Sequence, residues 1–245
     1  MSENALRDRL IVALDRPDLK SAIEQVDRLG EAVAWYKVGL ELFCAAGSPA
    51  VQALADRGKR VFLDLKLHDI PATVEKAIRA LGGVPVSLLT VHAAGGPAML
   101  RAAAGAAGAL KSPPRLLGVT MLTSLDGSEL PSLWNPKTDL EEKVLALAIQ
   151  CEEAGLAGVI ASPLEIGPLR LEHEPPFLIV TPGIRGAGDK AQDQKRTLSL
   201  PEAFARGADM VVVGRPILEA RDPRAVLAAY EAALASNLTI ERTGS

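Results

Sequence analysis

Phe62-Leu63-Asp64-Leu65-Lys66-Leu67-His68-Asp69-Ile70-Pro71 sets three charges where an apolar strand runs into a helix. Val61, Leu63, Leu65 and Leu67 alternate with Phe62, Asp64, Lys66 and His68, so a strand through this run turns Asp64 and Lys66 to the same side. In a parallel barrel that side is the interior. A carboxylate and an ammonium are costly to bury unless paired and hydrogen-bonded, and clusters of that kind are where perturbed pKa values and chemistry concentrate. A plainer reading makes the two a structural ion pair, with Asp69 as the N-cap of a helix that starts at Ile70-Pro71. The ten residues by themselves admit both.

Outward from this stretch, short aliphatic or β-branched runs recur at 10–14, 34–38, 61–66, 86–91, 116–120, 158–161, 177–181 and 210–213. Amphipathic segments alternate with them at 18–29, 48–57, 71–80, 97–108, 138–154, 164–170, 199–206 and 222–235. Eight strands alternating with eight helices predict an α/β fold, a (β/α)8 TIM barrel, because each parallel crossover needs a connecting element of that length. An open doubly wound sheet is the alternative. No composition shift or Pro/Ser-rich linker divides the 245 residues, so a single barrel domain over 1–245 is expected. Polar stretches at 124–137 and 183–197 exceed an ordinary barrel connection, and both follow strands, which puts them on the face where barrel enzymes carry their active sites.

A hydrophobic content of 48% with 23% charged residues supports a sizeable core, and the formal charge of −3 offers no general attraction to nucleic acid or to anionic lipid. An anionic ligand must therefore be held by local features. Cys44 and Cys151 form no CxxC pair, which points to a reducing compartment and to packing roles for both. The charged N-terminal residues lead directly into a strand without a secretory apolar stretch, and no run approaches the roughly 18–20 apolar residues of a membrane span, so a cytoplasmic protein is expected. The three histidines, His68, His92 and His173, are scattered and read as structural; with no carboxylate cluster of ligand spacing, neither a metal site nor a cofactor is expected.

Read to their C-terminal ends, the strands bring together Asp15 after the first, Lys37 on the second, Asp64 and Lys66 on the third and Thr123 after the fifth. One polar strand end is unremarkable, but four charges from three strands at one barrel mouth are hard to assign to solubility. Thr181-Pro182-Gly183-Ile184-Arg185 and Val213-Gly214-Arg215-Pro216-Ile217 follow the last two strands, where barrels frequently bind phosphate on backbone amides and a short helix N-terminus. Glycine lets the backbone approach an anion, and Arg185 and Arg215 offer forked donors to its oxygens. Gly-Arg-Pro alone is also an ordinary turn.

These motifs, taken in order, resemble the orotidine 5'-phosphate decarboxylase family of bacterial type. The match runs from Leu14-Asp15 through Trp35–Gly39, Phe62–Val74, Val91–Gly96, Gly118–Ser124, Thr181–Arg185 and Asp193–Arg196 to Val213–Ile217. The Asp-x-Lys-x-x-Asp-Ile-Pro segment is specific to that family, whereas many phosphate-binding barrels share the glycine motifs. Departures are Ser199-Leu200-Pro201, where relatives often have Thr-Pro, and the stretch Gly186–Lys190.

The resemblance implies a homodimeric barrel that converts orotidine 5'-monophosphate to UMP and CO2 in de novo pyrimidine synthesis, without metal or organic cofactor. It implies a catalytic array of Lys37, Asp64 and Lys66, completed by Asp69 from the partner subunit, with Thr73 also serving the neighbour's site. Lys66 would stabilise a carbanion at pyrimidine C6 and protonate it. Asp15 and Lys37 would hold the ribose hydroxyls and Thr123 would face the base. Pro182, Arg185, Gln194, Gly214 and Arg215 would surround the phosphate, under a lid near 183–197. Two rivals remain: a metal-dependent sugar-phosphate decarboxylase or aldolase with a similar third strand, and a catalytically silent nucleotide-binding barrel. Metal-dependent relatives carry an acidic residue on strand two, where this chain has Lys37, and silent ones lose part of the charged array, which is intact here.

Overall fold

The computed structural model describes residues 5–125, 139–185 and 197–243. Eight parallel strands close into a barrel: β1 (Leu10–Ala13), β2 (Trp35–Val38), β3 (Arg60–Leu67), β4 (Leu88–His92), β5 (Arg115–Val119), β6 (Gly158–Ile160), β7 (Leu178–Thr181) and, after two short strands, β10 (Met210–Val213). The short pair, β8 (Ile184–Arg185) and β9 (Leu198–Ser199), forms its own parallel ribbon beside the barrel mouth. Each apolar run read from the sequence coincides with a barrel strand to within a residue or two.

The alternation of each strand builds two cores. Ile11, Trp35, Phe62, Leu88, Leu117, Val180 and Met210 fill the barrel interior. Their neighbours Val12, Tyr36, Val61, Leu63, Leu89 and Val211 face outward against the helices. Strands covered on both faces read as nearly continuous apolar runs, which is why these stood out in the sequence. β1 and β10 close the barrel with Leu10 opposite Val211 and Val12 opposite Val213. Arginines brace this seam at both ends: Arg9 Nε donates to the Asp209 carbonyl at 2.9 Å below it, and an Arg16 guanidinium nitrogen donates to the Leu218 carbonyl at 2.8 Å above it.

Three local expectations need correction. A short helix, Ala5–Arg9, precedes β1 and buries Leu6, where the sequence suggested a direct entry into the strand. Two helices, Leu40–Ala46 and Ser48–Ala55, connect β2 to β3 in place of one, broken at Gly47 where φ is +63°. Cys44 on the first of these is exposed, so only Cys151 is a packing residue; burial pushes its thiol pKa up to about 12. Among the described residues no helix is long and apolar enough to cross a membrane.

Candidate active site

The site begins with an irregularity in the sheet. β3 and β4 pair at Leu63 with Leu89 and again at Leu67 with Val91, so Asp64, Leu65 and Lys66 all stand against the single residue Thr90. This bulge leaves Lys66 with φ +49°, a left-handed conformation that costs a non-glycine residue on the order of 1–2 kcal/mol. The Lys66 backbone N–H donates to Thr90 Oγ1 at 2.9 Å, and the Thr90 hydroxyl donates to Asp64 Oδ1 at 2.9 Å. Lys66 Nζ reaches both Asp64 oxygens at 2.8 Å. From β2, Lys37 Nζ lies 3.6 Å from Asp64 Oδ2 and 3.4 Å from Asp15 Oδ1. The result is a row of alternating charge, Asp15, Lys37, Asp64, Lys66. A Cβ on Gly39 would fall 2.8 Å from Lys37 Nζ, so the missing side chain there makes room for the ammonium.

Asp64 is 8% exposed. Burial alone would raise its pKa, but the charges of Lys37 and Lys66, with hydrogen bonds from Lys66 and Thr90, outweigh it and hold the carboxyl below the usual range. Nearby, the rings of His68 and His92 stack with centroids 5.0 Å apart. His92 Nδ1 accepts from the Ala94 N–H at 3.3 Å, and burial, with the charges of His68 and Lys66, lowers its pKa; both features favour a neutral ring. His173 is buried against Glu152, Nδ1 to Oε2 at 2.6 Å, and stacks on Phe177, away from the cavity.

A cavity of about 510 Å³ opens over the row of charges. Phe62, Val119, Ile160 and Val212 give it an apolar floor, and Asp15, Lys37, Asp64 and Lys66 line one wall. Met121, Leu122 and Thr123 enter from the end of β5, Pro182, Gly183 and Ile184 from the end of β7, and Gly214, Arg215 and Pro216 from the end of β10. Eight of the residues singled out from sequence are thus brought together: Asp15, Lys37, Asp64, Lys66, Thr123, Pro182, Gly214 and Arg215. Gln194 and the side chain of Arg185 lie outside the described residues.

Asp69 and Thr73 are exposed and do not line this cavity; they belong to an outward stretch, His68–Thr73, on which Ile70 is 67% exposed. Asp69 is also not the N-cap that the simpler reading assigned. Ile70 takes that position for the helix Pro71–Ala80, and the Asp69 carboxylate accepts from the Ile70 N–H at 2.7 Å. Sequence reasoning missed Thr90, Met121 and Glu219, the last two in the cavity wall. For Thr90 the sequence offers only a threonine on the same face of β4 as Leu88 and His92, a signal that threonine's ordinary strand propensity hides.

Chemically, an ammonium gripped by a buried carboxylate beside an apolar floor can stabilise negative charge on a substrate atom and deliver a proton to it. Backbone amides after β7 and β10, with Arg215, suit an anion at the neighbouring part of the cavity rim.

Known proteins share this arrangement of strands and sequence. A family model described as orotidine 5'-phosphate decarboxylase / HUMPS family matches residues 8–230. An orotidine 5'-phosphate decarboxylase of Moorella thermoacetica is 49% identical over 231 residues, covering 92% of each chain. One from Nostoc sp. is 45% identical over 221 residues, 88% of this chain and 92% of that protein. The crystal structure of orotidine 5'-phosphate decarboxylase from Lactobacillus acidophilus superposes with a TM-score of 0.80 at 37% identity, over 92% of this chain and 98% of that one.

Proposed function

The chain belongs to the orotidine 5'-phosphate decarboxylase / HUMPS family, and from that membership we propose that it decarboxylates orotidine 5'-monophosphate to UMP in pyrimidine biosynthesis, with Lys66 as the proton donor. The observation that carries the reading is the Lys66 ammonium, held at 2.8 Å by both oxygens of buried Asp64 at the edge of the cavity. Breaking the bond between C6 and the carboxylate releases CO2 and leaves the electron pair on C6. Lys66 stabilises that charge through space and then transfers a proton to C6, becoming a neutral amine that solvent reprotonates. Asp64 keeps the ammonium charged and aimed.

The substrate carboxylate would sit near Asp64. Two like charges 4 Å apart repel by about 4 kcal/mol at an effective dielectric near 20, and departure of CO2 relieves this. Asp15 and Lys37 would bind the ribose hydroxyls and Thr123 the base. Gly214 and Arg215, with Pro182, Arg185 and Gln194, would take the phosphate, whose binding energy would close the segment near 183–197 over the nucleotide. The partner subunit's Asp69 and the partner subunit's Thr73 would complete each site of a cytoplasmic homodimer. Their exposure, alongside Ile70 and outside their own cavity, supports that arrangement.

The test is loss of the ultraviolet absorbance of orotidine 5'-monophosphate on adding purified protein, with and without EDTA. EDTA-resistant conversion to UMP is expected, since Lys37 Nζ already sits between the carboxylates of Asp15 and Asp64. No conversion by folded protein, or turnover of a sugar phosphate that depends on Mg²⁺, would overturn the reading.

A further inference from the structure

Between the catalytic strand and its neighbour, one hydroxyl takes part in two contacts that no backbone ladder supplies. We propose that Thr90 is a positioning residue for this reaction, setting where the Lys66 ammonium stands relative to Asp64; the inference rests on the decarboxylation proposed above.

A threonine hydroxyl has one hydrogen to donate and lone pairs with which to accept. Thr90 uses both on the array, accepting from the Lys66 N–H and donating to Asp64 Oδ1. A single oxygen thus ties the backbone of Lys66 to the carboxylate that holds the same residue's ammonium, closing a loop of contacts around the proton donor. The register jump between Leu63 and Leu67 denies Asp64, Leu65 and Lys66 one-for-one partners on β4, so the hydroxyl stands in for a strand carbonyl at the Lys66 N–H. It also restrains Lys66 at the position where its backbone is left-handed. The oxygen's own place is well fixed: Thr90 is fully buried, and its branched Cβ restricts χ1 on a strand. Thr90 does not line the cavity, so it acts through Lys66 and Asp64 and not on the substrate.

The experiment compares steady-state kinetics of wild type, Thr90→Val and Thr90→Ser, with thermal melts as a check on folding. Valine keeps the shape and removes the hydroxyl. Its kcat should fall about 10- to 100-fold, the scale of a lost hydrogen bond to a charged group, while KM moves by less than about threefold. Serine keeps the hydroxyl and should stay within about threefold of wild type in both constants. If Thr90→Val does not fold, Thr90→Ala against Thr90→Ser makes the same comparison. A hydroxyl-free variant with wild-type kcat overturns the proposal alone, as does a serine variant as slow as the hydroxyl-free one. A wild type that does not turn over orotidine 5'-monophosphate overturns both this proposal and the reading it rests on.

Discussion

Asp64 remains ionised while buried because Lys37, Lys66 and Thr90 all meet it. Its folded-state pKa is depressed, so its contribution to stability is fully present above the unfolded value, about 3.9, and is lost as pH falls through the lower folded value. Asp64→Asn should therefore lower Tm at pH 7, where it leaves two ammoniums short of a partner, and flatten the curve of Tm against pH below about pH 3.9. Thermal melts across pH check this, and a curve parallel to wild type would assign the acid loss to other carboxylates. Lys66→Ala should abolish turnover yet keep UMP affinity within about threefold by calorimetry, because the role proposed for it is at the reacting carbon and not in holding the product. Retained turnover would remove Lys66 from the chemistry. Both residues were legible in the sequence as charges at inward positions. Thr90 was not, since threonine is an ordinary strand former and its partners lie on another strand.

The β3 bulge was invisible in the sequence for a reason of parity. Three residues of β3 face one of β4, a surplus of two, so the inward and outward alternation passes through the bulge unbroken. The helix Leu40–Ala46 went unread because it is only seven residues long, bounded by Gly39 and Gly47, too short for a periodicity to register. Tight contact between elements shows at Gly158 on β6, where a Cβ would lie 2.2 Å from the Leu178 carbonyl oxygen and 2.6 Å from the Leu178 Cβ on β7. The obstacle includes the backbone of the paired strand and cannot swing aside, so Gly158→Ala should cost roughly 2–4 kcal/mol. At Gly105, inside the helix Gly96–Gly108, a Cβ would meet nothing within 4 Å, and Gly105→Ala should gain up to about 1 kcal/mol through helix propensity. Urea melts should give opposite signs for the pair; equal effects would contradict the packing argument.

At the scale of the molecule, barrel closure was readable from the count and spacing of apolar runs, whereas the assembly of subunits was carried only by the family resemblance. The shared site proposed above makes a prediction about mixtures. Asp69→Ala and Lys66→Ala subunits, each inactive alone, should recover activity on exchange, up to about one quarter of wild type at equal mixing, since half the dimers are mixed and each carries one intact site. No recovery under confirmed exchange would place the whole site within one subunit. The seam between β1 and β10 has a consequence for synthesis. Asp15 follows the first barrel strand and Gly214 the last, and a Cβ on Gly214 would lie 3.4 Å from the Asp15 carboxylate. A chain emerging from the ribosome carries Lys37, Asp64 and Lys66 early, but β1 keeps an open edge until residue 213 arrives to pair with it. The end of the cavity proposed to take phosphate is thus the last part to be made, and a prematurely ended polypeptide would hold the proposed proton donor without the means to hold a nucleotide.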